Sequence, residues 1–188
     1  MRRLAGVFDA AISFASLLAA YRRARRGHRR SAQVLAFALE LERELLALRA
    51  QLGDGSYCPG AYRQFIVYER KPRLISAAPF RDRVVHHAAM AAIEPALDRR
   101  FIAHSYACRR GRGTHAAVER YQQWARRYRY VLKLDVAAYF PSIDHEILKA
   151  KLARRIGDRR MLALLGVIID ASPPSPPPAP ACDRAMTC

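Results

Sequence analysis

Tyr130-Val131-Leu132-Lys133-Leu134-Asp135-Val136-Ala137-Ala138-Tyr139-Phe140-Pro141-Ser142-Ile143-Asp144 is the stretch on which the reading of this chain turns. Its first half is short and almost continuously apolar, which predicts a central strand buried on both faces. Asp135 stands at the end of that strand. A carboxylate taken out of water without a partner is costly, so it must meet a cation or a cap. A divalent metal serving phosphoryl transfer is the functional answer. A helix cap or an arginine partner is the structural one.

Downstream, Pro141-Ser142 turns the chain into a helix carrying Ile147, Leu148, Lys151, Leu152 and Ile156, ended by Gly157. Asp144, nine residues after Asp135, reads as a cap for it. A last helix covers 158–170. From Ser172 proline dominates, and residues 172–188 are expected to be a disordered, partly polyproline-like tail. Upstream, Thr114 should cap a helix with Val118, Tyr121, Trp124, Ala125 and Tyr128 on its apolar side. Before it lies the Arg/Gly loop Ser105–Gly113.

Residues 62–69 and 73–77 read as two strands joined by the turn Arg70-Lys71-Pro72, a hairpin with a basic tip. A helix follows from Arg81, burying Val85, Ala88, Ala89, Ala92 and Ala96, with Pro95 kinking or ending it. The N-terminal region, 1–56, is helical. One helix spans 8–24 and runs into Arg22-Arg23-Ala24-Arg25-Arg26-Gly27-His28-Arg29-Arg30. A second is capped by Ser31, striped by Val34, Ala38, Leu41, Leu45, Leu48 and Leu52, and stopped at Gly53-Asp54-Gly55.

The formal charge is +17, from 33 Lys+Arg against 16 Asp+Glu. Such a field draws polyanions, with nucleic acid first and anionic membrane second. No apolar run reaches the ~20 residues a membrane span needs. Met1–Ala20 mimics a signal peptide, but Asp9 interrupts its apolar stretch. The four cysteines fit no zinc spacing, which predicts free thiols in a reducing cytosol. A cytoplasmic protein without a membrane partner is the expectation.

Asp-(three residues)-Tyr-Phe-(two residues)-Ile-Asp after an apolar strand resembles the first catalytic motif of reverse transcriptases. Lys71-Pro72-Arg73-Leu74-Ile75-Ser76-Ala77-Ala78-Pro79, with Asp82-Arg83-Val84-Val85-His86-His87, resembles the fingers motif of the bacterial enzymes: retron, group II intron and diversity-generating types. Ser105-Tyr106-Ala107 with Gly111-Arg112-Gly113-Thr114-His115 resembles their next block. The three blocks occur in order within 57–171. The fold implied is α+β: a helical N-terminus, reverse-transcriptase fingers, and a partial palm that stops before the Tyr-x-Asp-Asp hairpin.

The resemblance implies roles for individual residues. Asp135, helped by the Val136 carbonyl, would bind Mg2+. Phe140 would act as the steric gate favouring dNTPs. Ala138 and Tyr139 would offer backbone N–H groups to the triphosphate, which Arg73 and, more weakly, Lys71 would clamp. Arg81, Arg83, Arg109, Arg110 and Arg112 would contact nucleic acid. The partners implied are an RNA template, a DNA primer and a dNTP. Each role has a plainer counterpart: a solvated hairpin arginine at 73, a core ring at 140, an Asp82 that merely stabilises a helix start, and His86 and His87 that pack. Pro141 departs from the Asp often found in this motif.

Two metals are needed for nucleotidyl transfer, and one aspartate cannot hold both. This sequence has no Asp-Asp pair. The expectation is therefore a truncated, catalytically incomplete copy of an RNA-directed DNA polymerase. Two rivals stand beside it. One is a non-catalytic nucleic-acid-binding protein that reuses the fingers. The other is the N-terminal piece of a split polymerase, with a separate chain carrying the rest of the palm.

Overall fold

Ser13 divides the first expected helix in two. Its hydroxyl accepts from the Ser16 N–H, so α1 (Phe8–Ala11) stops and α2 (Phe14–Ala24) starts afresh. The second expected helix divides likewise. Ser31 caps α3 (Ala32–Leu39), Glu40 leaves helical geometry, and α4 (Leu41–Asp54) continues the stripe to Gly55, whose φ of 81° closes it. The computed structural model describes residues 3–68, 72–136, 139–140 and 142–173.

The hairpin forms as expected, from β1 (Arg63–Tyr68) and β2 (Pro72–Ala77). They pair antiparallel, with Arg63 opposite Ala77 and Tyr68 opposite Pro72. Both of its faces are open: Phe65, Ile66, Leu74 and Ile75 are all exposed. Then α5 (Phe80–Asp98) runs through the middle of the molecule. Pro95 lies inside it rather than ending it. Val85, Ala88 and Ala89 are buried as expected, Ala92 and Ala96 only half so, and Phe80, Val84 and Ile93 complete the face.

The core is helix on helix. Leu17, Ala20, Tyr21 and Ala24 of α2 pack on α5, with Val34 and Phe37 of α3 and Leu45, Leu48 and Leu52 of α4 beside them. α7 (His145–Ala153) and α8 (Arg159–Asp170) are capped by Asp144 and Asp158, which accept from the N–H of Ile147 and Met161. Lys149 of α7, paired with Glu146 in its own helix, links the two by reaching Asp170 of α8. The N-terminal residues join this end of the chain. Leu4 N–H donates to Arg155 O and Gly157 N–H to Leu4 O, at 2.9 and 2.7 Å, and Asp158 Oδ2 accepts from Val7 and Phe8 N–H, both at 2.9 Å. Desolvation opposes the charge on Asp158, yet those backbone donors hold its carboxyl below the usual range. The segment likened to a signal peptide thus contributes Phe8, Ala11 and Leu17 to the core.

The expected central strand does not form. Residues 130–136 make no ladder, and Leu132 and Leu134 are 80% and 81% exposed. A strand exists through its hydrogen-bonding neighbours, and none of the described elements supplies one. α6 (Thr114–Ala125) is in the same position. Val118, Tyr121 and Trp124 are exposed, as is Tyr128 beyond it, because no described element covers that side. Gly113 rather than Thr114 occupies its cap.

Candidate nucleic-acid interface

The loop between α5 and α6 is held by one arginine. Arg109 Nε donates to Asp98 Oδ1 at 2.6 Å. Its other donors reach the carbonyls of Asp98, Ile102 and Ser105 at 3.0, 3.1 and 3.1 Å. Its guanidinium also lies over Phe101, 5.5 Å from the ring centre. The side chain is only 12% exposed. Arg109 therefore ties the loop to the end of α5, and most of its donors are spent inside the protein. Arg110 and Arg112 are left facing solvent, the latter over the Tyr106 ring.

Arg81 is likewise engaged: it bonds Gln51, lies 4.0 Å from Glu44 and covers the Tyr57 ring. Arg83 lies over Phe80, and its Nε is buried without a partner among the described residues. The sequence reading grouped five arginines as nucleic-acid contacts. The structure separates them into two internal braces, Arg81 and Arg109, a partly buried Arg83, and two exposed cations.

Between Arg81 and Arg83 is a carboxylate whose place was underestimated. Asp82 is 2% exposed and accepts from Tyr57 Oη and Gly60 N–H, both at 2.8 Å. Burial, then the bond to Asp82, pushes the Tyr57 phenol well above its usual range. A Cβ at Gly60 would meet Pro79 Cγ at 3.0 Å and Asp82 Oδ2 at 3.4 Å, so a side chain there would crowd the approach of its N–H to Asp82. This knot anchors the segment leading into the hairpin. Its signal was present in the spacing: 82, 85, 89 and 93 lie on one helical stripe, so a carboxylate at 82 had to be buried. His86 is half-buried in the same helix. Burial holds His86 below the usual histidine value, as a packing residue; the more exposed His87 is lowered too, by partial burial and by the nearby Arg23 and Arg83.

Asp135 is exposed, not buried at a strand's end. One of its oxygens accepts from Val136 N–H at 3.0 Å, and among the described residues it makes no ion pair with an arginine. The cost of burial therefore does not argue for a metal here. One exposed carboxylate is a partial donor set for Mg2+, and among the described residues no group of three or more acidic, His or Cys side chains stands ready to hold an ion. Tyr139 and Phe140 are exposed, their rings 5.3 Å apart edge to face. Ser142 Oγ and N–H both donate to Tyr139 O, which turns the chain toward α7. Arg73 is exposed opposite Val67 on the hairpin. Lys71 and Ala138 lie outside the described residues, as do Pro141 and positions 174–188 of the expected tail.

No helix described is long and apolar enough to cross a membrane. No family model matches the chain. Over 135 residues it is 31% identical to Protein YkfC of Escherichia coli (strain K12), covering 68% of this chain and 35% of that protein. Over 86 residues it is 29% identical to the Nuclear intron maturase 1, mitochondrial, of Arabidopsis thaliana, covering 46% of this chain and 12% of that protein. The chain thus spans about a third of the first relative's length and about an eighth of the second's. A basic polypeptide built around a helical core and an exposed hairpin is, over nearly half its length, similar to a protein named for intron maturation.

Proposed function

We propose that this chain is the fingers region and beginning of the palm of an RNA-directed DNA polymerase, and that in this form it binds nucleic acid without turning over. The order of the motifs around Arg73, Gly111–Thr114 and Asp135 carries the reading, and the partial similarity to an intron maturase supports it. An exposed basic hairpin and the outward-facing Arg110 and Arg112 suit a phosphate backbone. Arg73 would clamp a dNTP, Phe140 would sense its sugar, and Asp135 would contribute one ligand to Mg2+. That ion, when bound, would stabilise charge on the transferring phosphoryl group. Asp135 alone does not complete a two-metal site, so an acidic pair would have to join it.

The test is binding and extension on an RNA template with an annealed DNA primer. Salt-sensitive binding is expected, with no extension by the polypeptide alone. Extension is expected only when a chain bearing an Asp-Asp hairpin is added, and Asp135→Asn should abolish it. Extension that survives Asp135→Asn, or an absence of RNA binding at low salt, would overturn the reading. The non-catalytic alternative predicts RNA binding and no extension under any complementation.

A further inference from the structure

The corner between α2 and α3 carries six arginines and one histidine within residues 22–30, and no acidic residue. Arg22, Arg23, Arg26, His28, Arg29 and Arg30 are exposed, and none of them forms an ion pair among the described residues. Elsewhere some cations find acidic partners, Asp98 for Arg109, Asp9 for Arg160 and Asp170 for Lys149, while others such as Arg110 and Arg112 face solvent singly or in pairs. Here six guanidinium groups crowd together with no acidic partner among the described residues; Arg25 alone is engaged, donating to Tyr21 Oη and lying over its ring.

The segment is also shaped. Arg26 N–H donates to Arg23 O, His28 N–H to Arg25 O and Ser31 N–H to His28 O, at 3.1, 3.1 and 3.0 Å. Gly27, at φ 78°, supplies the left-handed step between the turns. The chain therefore curls around a concavity of about 510 Å3 lined by Arg26, Gly27, His28, Arg29, Arg30 and Ser31.

Both ends of the curl are fastened. Tyr21 of α2 stacks on Phe37 of α3 at 5.8 Å, and both rings meet Phe80 of α5 edge to face, at 6.0 and 5.3 Å. Ala24 is buried beneath the arginines. A basic run that only kept a protein soluble would have no need of an aromatic clamp on either side. A fastened backbone presents the arginines from fixed positions, which lowers the entropy lost in ordering the chain around a ligand.

We infer that the Arg22–Arg30 corner is a second phosphate-backbone site, separate from the hairpin and the α5–α6 loop, which takes the backbone of the bound RNA. This rests on the reading of the chain as RNA-binding. It adds a location and a rigid geometry. RNA is favoured over an anionic bilayer because the charged side chains of the corner are all arginines, whose planar fork matches a phosphate, and the run carries no exposed apolar side chain to enter lipid.

The test uses the full chain and a labelled single-stranded RNA, with affinity measured across salt. Arg26→Gln, Arg29→Gln and Arg30→Gln together should lower the slope of log K against log salt by about two, a loss of about a hundredfold in affinity near 0.1 M salt. The matching triple change to Lys should keep the slope. Arg110→Gln with Arg112→Gln serves as the comparison, and vesicles of phosphatidylserine and phosphatidylcholine as the competing surface. An unchanged slope in the Gln triple variant overturns the second site; if the loop variant still weakens binding, the RNA-binding reading stands. Equal loss in the Lys variant overturns the charge argument. Binding of the wild-type chain to vesicles but not to RNA overturns both.

Discussion

Asp82 and Asp135 exchange the roles their sequence context suggests. The carboxylate expected to be buried at a strand's end is exposed, and the one expected to sit at an exposed helix start is hidden. Local context predicts burial only where the neighbours are themselves packed. The stripe of α5 is packed, whereas the run before Asp135 has nothing beside it. Tyr57→Phe removes one donor to a buried carboxylate that keeps the Gly60 N–H, and should cost about 1–2 kcal/mol. Asp82→Ala orphans a buried hydroxyl and a backbone N–H together, and should cost about 2–4 kcal/mol. Urea unfolding of both variants would check the order. Asp135→Asn, at an exposed site, should leave the unfolding midpoint within about 0.5 kcal/mol of wild type.

Proton linkage gives a further residue-scale expectation. His86 and His87 hold protons less readily folded than unfolded, so the unfolded chain takes up more protons once pH drops below 6.5. Stability should be flat above that value and fall as pH decreases through it toward the folded values. Asp158 adds a lower limb. Its folded value is depressed below 3.8, so its contribution is present above that pH and is lost as pH falls through the folded value. Denaturant midpoints across pH should show the two limbs, and His86→Gln should shrink the upper one.

Among the elements, those that satisfy themselves locally were the legible ones. The hairpin needs only its own two strands, α5 a periodic face, and α7 and α8 a periodic face with a side-chain cap. Two breaks were missed. Ser13 and Glu40 interrupt stripes whose hydrophobic period runs straight through them, so periodicity alone could not reveal either. The strand at 130–136 and the covered face of α6 were wrong for another reason: both need a neighbour that the described residues do not include. At this scale the sharpest test is Phe37→Ala. It removes one ring from the cluster joining α2, α3 and α5, and should cost about 3–5 kcal/mol. A drop in thermal midpoint with loss of helical signal would register it.

For the whole molecule, charge and greasy surface pull in opposite directions. The net +17 keeps copies apart, while Val131, Leu132, Leu134 and Phe140 lie open beside an unpaired stretch of backbone. Solubility should therefore fall as added salt screens the repulsion. Leu132→Lys with Leu134→Lys should restore it, as light scattering at matched concentration would record. Scattering that is indifferent to both changes would place the sticky surface elsewhere.

The bridge between Leu4 and Ile156 has a bearing on birth as well as on stability. On the ribosome residues 4–8 emerge well ahead of their backbone partners at 155–158, which are made some 150 residues later. Until then the segment ahead of α1 has nothing to dock against and stays open to proteases and holding chaperones. Contacts between distant positions form slowly because a long loop must close first. Residues 155–158 are thus the latch for the segment ahead of α1, and a ribosome stalled before them would display a nascent chain in which that segment is still loose.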